Sequence, residues 1–402
     1  MTHIVSVSWG DHLSFGEGDG RLQTPEAVAR RMRAWREELG AAALHWRMLR
    51  TRIPGRFFAA RGYRHPSQAA ARRIGWDDFE AVPALARDAR LEPWLYVSLF
   101  DEGYPLAPAR VRARSYHNAM HGRHVAWQSD LTRGHPEWLM VDRSGRRRQW
   151  GVVCLAYPEA RRAFIDRWMH LLEGTGFAGL FVCLRSQSRP AAHGDQFGYN
   201  EPVRREFQER YGVDITRGAF DVQAWRDLLG EYLTRFIAEA SAAVRASGRK
   251  IGIGVPRGDV LGPPLGNTTL AWREWLARTS IDALVIDQNS SQCPSMWHQL
   301  WPMHRGTGYV QDYLSGRGVP PTAEYAAKAL SAGTRLYVAR QWSHRSPDEE
   351  RALLATPGVT GLVFSSFRHD NPAAVARGDW TAGAIGVQQP SGTHVNPVRA
   401  DR

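Results

Sequence analysis

The sequence is poor in cysteine and nearly empty of lysine. Its 402 residues include three cysteines, Cys154, Cys183 and Cys293. An odd, widely spaced set argues against a disulfide framework, and no Cys-x-x-Cys or Cys/His spacing suits zinc. The plain expectation is reduced thiols in or near a core. No apolar run approaches the roughly 18 to 20 residues that a membrane-crossing helix needs. The stretch MTHIVSVSWGDH has no basic region followed by an apolar one, so a cytoplasmic protein is expected. No Gly-x-Gly-x-x-Gly follows the first apolar run, which disfavours a dinucleotide-binding sheet. No His-x-His or His-Glu-x-x-His occurs, so neither metal nor cofactor is expected.

Lys and Arg total 52 against 40 Asp and Glu, a net charge of +12, yet Lys250 and Lys328 are the only lysines. The arginines are scattered and no nucleic-acid module accompanies them. Nucleic acid and membrane are therefore not expected partners. An anionic small substrate is compatible with the charge, and so is an arginine-favouring genome.

What is present is an ordered alternation. Short, nearly continuous apolar runs begin at Ile4, Ala42, Pro93, Gly179, Lys250, Asp282, Arg335 and Val359. Amphipathic segments lie between them. Thr24-Pro25-Glu26 reads as a helix start and Gly40 as its stop. A helical segment from Ser67 to Arg90 has a potential break at Pro83. Further helical patterns cover Pro158 to Glu173, pieces of Glu201 to Ser247, Thr269 to Arg278, Ala323 to Leu330 and Asp348 to Ala355. Buried strands separated by helices mean a parallel sheet covered on its faces. Eight such units predict an α/β fold, a closed (β/α)₈ TIM barrel over residues 1–380. Two long βα-loop insertions are expected, one after the third strand over 101–157 with a hairpin turning at Ser144-Gly145, and one after the fourth. Residues 381–402 read as a flexible tail.

In such barrels function sits at the carboxyl ends of the strands. The expected ends are polar and aromatic throughout. They carry Trp9; His45 and Arg47; Asp101; Arg185 and Gln187; Arg257 and Asp259; Asp287, Gln288 and Asn289; Arg340 and Trp342; Arg368 and His369. Any one of these could be an ordinary loop residue or an ion pair; together they suit a pocket for a polar, ring-shaped ligand. Trp9, Trp46, Trp297, Trp301 and Trp342 are candidates to stack on sugar faces. The arginines are candidates to fork onto a carboxylate or sulfate, or onto Asp259 and Asp287. His117, His121, His124 and Trp138 of the loop after the third strand are expected to wall the mouth.

Glycoside hydrolysis needs two carboxyl groups flanking the scissile bond. Asp287 is the first candidate, because Val285-Ile286-Asp287 ends an apolar run and partial burial would follow. Asp259 is the second. Glu201 is the third, although Asn200-Glu201-Pro202 also suits a helix start stabilised by its dipole.

Three stretches carry a family resemblance: HPEWLMVDRSG, LAYPEARRAFIDRWMHLLEGTGFAGLFVCLRS and FGYNEPVRREFQERYGVDI. Their order resembles that of the uncharacterised glycoside-hydrolase-like TIM barrels known as family 10-like glycosyl hydrolases, over about residues 90 to 290. The resemblance implies a hydrolase of O-glycosyl bonds with an oligo- or polysaccharide substrate, acidic ones included. Many relatives carry Asp-Gly-hydrophobic-x-hydrophobic-Asp on the fourth strand. Here Ala178 and Cys183 stand where the two acids would be. The alternatives are a uronate-directed carbon–oxygen lyase, using an arginine and a base such as His45 or His369, and a non-catalytic carbohydrate-binding barrel. Oligomeric state is left open.

Overall fold

Contiguous apolar runs become strands whose two faces are both buried. The computed structural model describes residues 2–7, 24–47, 59–60, 63–64, 76–102, 129–184, 191–262, 265–288, 308–310, 319–341 and 346–365. Eight parallel strands close a barrel. They are β1 (His3–Val7), β2 (Ala41–Arg47), β3 (Glu92–Ser98), β4 (Gly179–Cys183), β5 (Lys250–Gly254), β6 (Ala283–Ile286), β7 (Arg335–Gln341) and β8 (Val359–Ser365). Each pairs with its sequence neighbours, and Ile4 closes the ring by facing Ala43 of β2 and Val363 of β8. The predicted TIM barrel is the observed fold.

Around it lie α1 (Pro25–Leu39), α2 (Asp78–Asp88), α3 (Pro158–Leu172), α4 (Glu201–Tyr211), α5 (Val222–Ala246), α6 (Trp272–Arg278), α7 (Thr322–Ala332) and α8 (Pro347–Leu354). Among the described residues no helix is long and apolar enough to cross a membrane. The start and stop of α1 follow the expected chemistry. The Thr24 hydroxyl accepts from the Ala27 amide, Pro25 opens the first turn and Gly40 takes the left-handed cap. Pro83 does not break α2. It lies inside the helix with its buried ring against Gly176.

Strand alternation divides the core into two clusters. Ile4, Trp94, Phe181, Val285, Tyr337 and Val363 fill the barrel interior. Leu44, Leu95, Val182, Ile253, Leu284 and Val338 face outward onto helices that contribute Met32, Trp35, Phe164 and Trp168. The interior accepts large rings because neighbouring positions are bare. A Cβ on Gly254 would come within 2.5 Å of the Phe181 ring, and one on Gly179 within 2.8 Å of Trp94.

Between β3 and α3 the expected hairpin is present. Leu139–Val141 pairs antiparallel with Arg148–Val153. Asp142 ties the turn by accepting from the Ser144 hydroxyl and from the Arg146 and Arg147 amides. A second hairpin, Val260–Gly262 with Gly266–Thr269, follows β5.

Candidate active site

On β2, His45 and Arg47 share the inward face while Trp46 points out, which follows from the two-residue repeat of a strand. The carboxyl end of β2 therefore delivers a guanidinium to the mouth. Arg47 donates Nη1 to the Ser98 hydroxyl and Nη2 to Asp101 Oδ2, the latter at 3.1 Å. Its guanidinium lies 5.1 Å from the Tyr96 ring centre. Arg47 and Asp101 are 5% and 3% exposed. Asp101 follows β3, so this pair bridges the ends of two adjacent strands.

The next residue turns the other way. Glu102 is buried and receives a fork from Arg167 of α3, Nη1 to Oε2 at 2.9 Å and Nη2 to Oε1 at 2.5 Å. Successive acids at one strand end thus tie the mouth to Arg47 and the outer helix to Arg167.

A second bridge joins β5 to β6. Asp287 is wholly buried, beyond the partial burial expected at a rim. Arg257 grips it with Nε to Oδ1 at 2.6 Å and Nη2 to Oδ2 at 2.8 Å. Arg340, at the end of β7, brings Nη1 to 3.8 Å from Oδ2. The strands on either side of Asp287 supply both arginines, as their order in the sequence suggested. Burial alone would lower the Arg257 pKa; the Asp287 charge and hydrogen bonds outweigh it and raise the value. Asp287 also has φ of 65°, the left-handed region that Asp tolerates better than most residues. Behind Arg257, the Tyr325 hydroxyl accepts from the Gly258 amide at 2.9 Å, and the Tyr325 ring stacks on Trp272.

The floor of the mouth is less polar. Cys183 points inward and its Sγ lies 2.9 Å from Gln288 Oε1. Below it Phe181 stacks on His45, with ring centres 4.0 Å apart and planes 17° apart. His45 is 1% exposed and among the described residues its Nδ1 has no hydrogen-bond partner. Burial, with the Arg335 charge adding, lowers its pKa to about 3. It is a neutral core imidazole rather than a rim group.

Two of the three expected catalytic carboxylates lie elsewhere. Asp259 accepts from Trp272 Nε1 and Arg273 Nη1, both at 2.8 Å, on α6, and its side chain is 45% exposed. Five residues past the end of β5 and just before the second hairpin, it is tied to α6 rather than turned into the mouth. Glu201 sits in the first turn of α4, 63% exposed, paired with Arg205 one turn on. The helix-start role accounts for it. Trp46 is also removed from the mouth. It is fully buried on the outer face of β2 and donates to Asp78 at 3.0 Å. Trp138 packs partly buried against the outer core and stacks on His135 at 3.8 Å. Trp9, Arg185, Gln187, Asn289, Trp342, Arg368 and His369 lie outside the described residues, as do Trp297, Trp301, His117, His121 and His124. Glu102, Arg167 and the thiol–amide contact were not anticipated. The adjacent acids of Asp101-Glu102 after an apolar run were the available signal for the first. Among the described residues no three His, Cys, Asp or Glu side chains converge as a metal site.

No family model matches the sequence. No curated protein matches it either. Membership of the family 10-like group therefore rests on the sequence resemblance alone. Solved structures with a similar course include glycoside hydrolases. The catalytic domain of a β-amylase from Paenibacillus polymyxa is 11% identical, with 90% of this chain and 91% of that one covered and a TM-score of 0.48. A GH36 α-galactosidase from Geobacillus stearothermophilus is 9% identical, with 95% and 40% covered and a TM-score of 0.43, so this chain spans about two fifths of its length. A GH18 chitinase from Cycas revoluta is 12% identical, with 85% and 68% covered and a TM-score of 0.34. Likeness of this degree carries no argument about substrate, mechanism or site residues.

Proposed function

We propose that the barrel is a glycoside hydrolase whose paired carboxylates are Asp101 and Asp287. One observation supports this reading: each is buried at a strand's carboxyl end and held by an arginine from the preceding strand end. Arg47 at the end of β2 holds Asp101 after β3, and Arg257 after β5 holds Asp287 after β6. The two pairs stand three strands apart around a ring of eight. In this reading the two carboxyl groups flank the scissile bond of a sugar bound on the barrel axis.

The roles divide by environment. Asp287, with both oxygens on Arg257, suits the anionic partner, as nucleophile or as base toward water. Asp101 then protonates the leaving oxygen. Water or the carboxylate closes on the anomeric carbon as that bond breaks. Asp259 and Glu201 take no part.

The lyase alternative has less support. It needs a mouth arginine to neutralise a substrate carboxylate, and of the expected ones Arg47 and Arg257 already face Asp101 and Asp287 while Arg185 and Arg368 lie outside the described residues. Of its expected bases, His45 is buried against Phe181 with a pKa near 3, and His369 lies outside the described residues.

The test is turnover on a panel of aryl glycosides and aryl glucuronides. Asp101→Asn and Asp287→Asn should each lose about 10²- to 10⁴-fold in rate, with no product absorbing as a conjugated uronate. Near-wild-type turnover in both variants, or an unsaturated product, would overturn the proposal.

A further inference from the structure

The geometry points to Gln288 as a hydrogen-bond donor to the sugar, oriented for that task by Cys183; this rests on the mouth being the carbohydrate site proposed above.

The side chain of Gln288 is a long arm across the barrel floor. It leaves the end of β6 and passes over β5, where a Cβ on Gly254 would lie 3.2 Å from its Cδ. It ends at Cys183 of β4, 2.9 Å from the thiol sulfur. The backbone is pinned as well, since the Gln288 amide donates to Val255 at 3.0 Å. Gln288 is 7% exposed. Gly254 leaves room for this crossing.

The chemistry of the contact decides which end of the carboxamide faces which way. A thiol carries one proton and is a weak acceptor, whereas the carboxamide nitrogen is a donor only. Two donors face to face would waste both. The favourable arrangement sets Oε1 on the thiol and turns Nε2, with two protons, away from it. Among the described residues nothing takes those protons. They are left for a bound sugar to accept. The class of group recognised is an oxygen acceptor: a hydroxyl, a ring oxygen or a carboxylate. Cys183 is a positioning residue. It touches no substrate and fixes the polarity of the group that does.

Two measurements separate this from the catalytic proposal. The first needs no substrate. Raman difference spectra, wild type minus Cys183→Ala, isolate the Cys183 S–H stretch. The band should lie at the low-wavenumber side expected of a donating thiol and move up in Gln288→Met, which keeps volume and removes Oε1. An unmoved band overturns the thiol–amide bond. The second is binding of glucose, galactose, N-acetylglucosamine and glucuronate by ligand-observed NMR. Gln288→Met and Cys183→Ala should each weaken the sugar that binds by about 2- to 10-fold, the worth of one neutral hydrogen bond. Cys183→Ser, which keeps a donor, should return affinity toward wild type. Loss in Gln288→Met without loss in Cys183→Ala overturns the positioning role, and no loss in Gln288→Met overturns the donor role. Failure of all four sugars to bind overturns sugar recognition, and the Raman band still decides the thiol–amide pair.

Discussion

Arg257 and Asp287 form a buried fork, Nε to Oδ1 at 2.6 Å and Nη2 to Oδ2 at 2.8 Å, with side chains 3% and 0% exposed. A pair so placed is fragile to loss of one member. Two charges have left water, and each is compensated chiefly by the other, with Arg340 a second cation 3.8 Å from Asp287. Asp287→Asn leaves Arg257 uncompensated and should cost up to about 3 to 5 kcal/mol. The double variant Arg257→Gln, Asp287→Asn replaces the ion pair with a neutral one of similar shape. It also keeps at position 287 a residue that accepts a positive φ. Urea unfolding should find the double variant more stable than Asp287→Asn alone. If the single variant unfolds within about 0.5 kcal/mol of wild type, the pair does not matter to the fold.

Asp101 should behave differently from the two acids that the sequence ranked above it. Glu201 is exposed on α4, and its bond to Arg205 is a surface contact between residues four apart. Such pairs contribute about 0.3 to 0.5 kcal/mol. Glu201→Gln and Asp259→Asn should therefore keep turnover within a few-fold of wild type, while Asp101→Asn loses it. Steady-state kinetics on one responsive aryl glycoside checks all three. A large rate loss in Glu201→Gln would return that residue to the site.

The contrast shows what a linear pattern can and cannot reveal. The run Ala283 to Ile286 announces a buried strand, and Asp287 at its end is buried as that pattern implies. All eight strands were legible for the same reason: a parallel strand covered on both faces has few polar positions. Direction after the strand end was not legible. Asp287 comes one position after the end of β6 and Asp259 five positions after the end of β5, and the intervening loop turns Asp259 outward to Trp272 and Arg273. Pairings were hidden by sequence separation. Arg47 and Asp101 are 54 positions apart, and Cys183 and Gln288 are 105 apart. The strand order of the sheet brings them together. Trp46 misled because its neighbours His45 and Arg47 face inward and a strand must alternate.

His45 links the core to acid stability. Burial, aided by the Arg335 charge, takes its pKa from 6.5 to about 3. Between those values the unfolded chain binds a proton and the folded chain does not. Stability attributable to this group is therefore constant above about pH 6.5 and falls as pH drops toward 3. The slope approaches about 1.4 kcal/mol per pH unit. Urea unfolding of wild type and His45→Gln at pH 7, 6 and 5 should show the wild type losing ground to the variant as pH falls. A difference between them that stays constant with pH would mean that His45 takes up a proton in the folded state.

Gly254 connects barrel packing to the mouth. A methyl group there would lie 2.5 Å from Phe181 Cζ, 3.1 Å from its Cε2 and 3.2 Å from Gln288 Cδ. Phe181 has little room to withdraw. His45 stacks on one face at 4.0 Å, and Tyr96 meets the ring edge-on at 5.3 Å. Gly254→Ala must then shift Phe181, Gln288 or the strand, and overpacking of this kind costs about 1 to 3 kcal/mol. Phe181→Leu frees the space that the methyl group needs. The double variant should be more stable than the sum of the two single losses by about 0.5 to 3 kcal/mol, the coupling of residues in contact. If Gln288 takes the strain, sugar affinity falls in Gly254→Ala and returns in the double variant, so the same pair of measurements reads the core and the floor of the mouth together. Strict additivity of the two unfolding energies would mean that the methyl group is absorbed elsewhere and that Phe181 does not fill the space above Gly254.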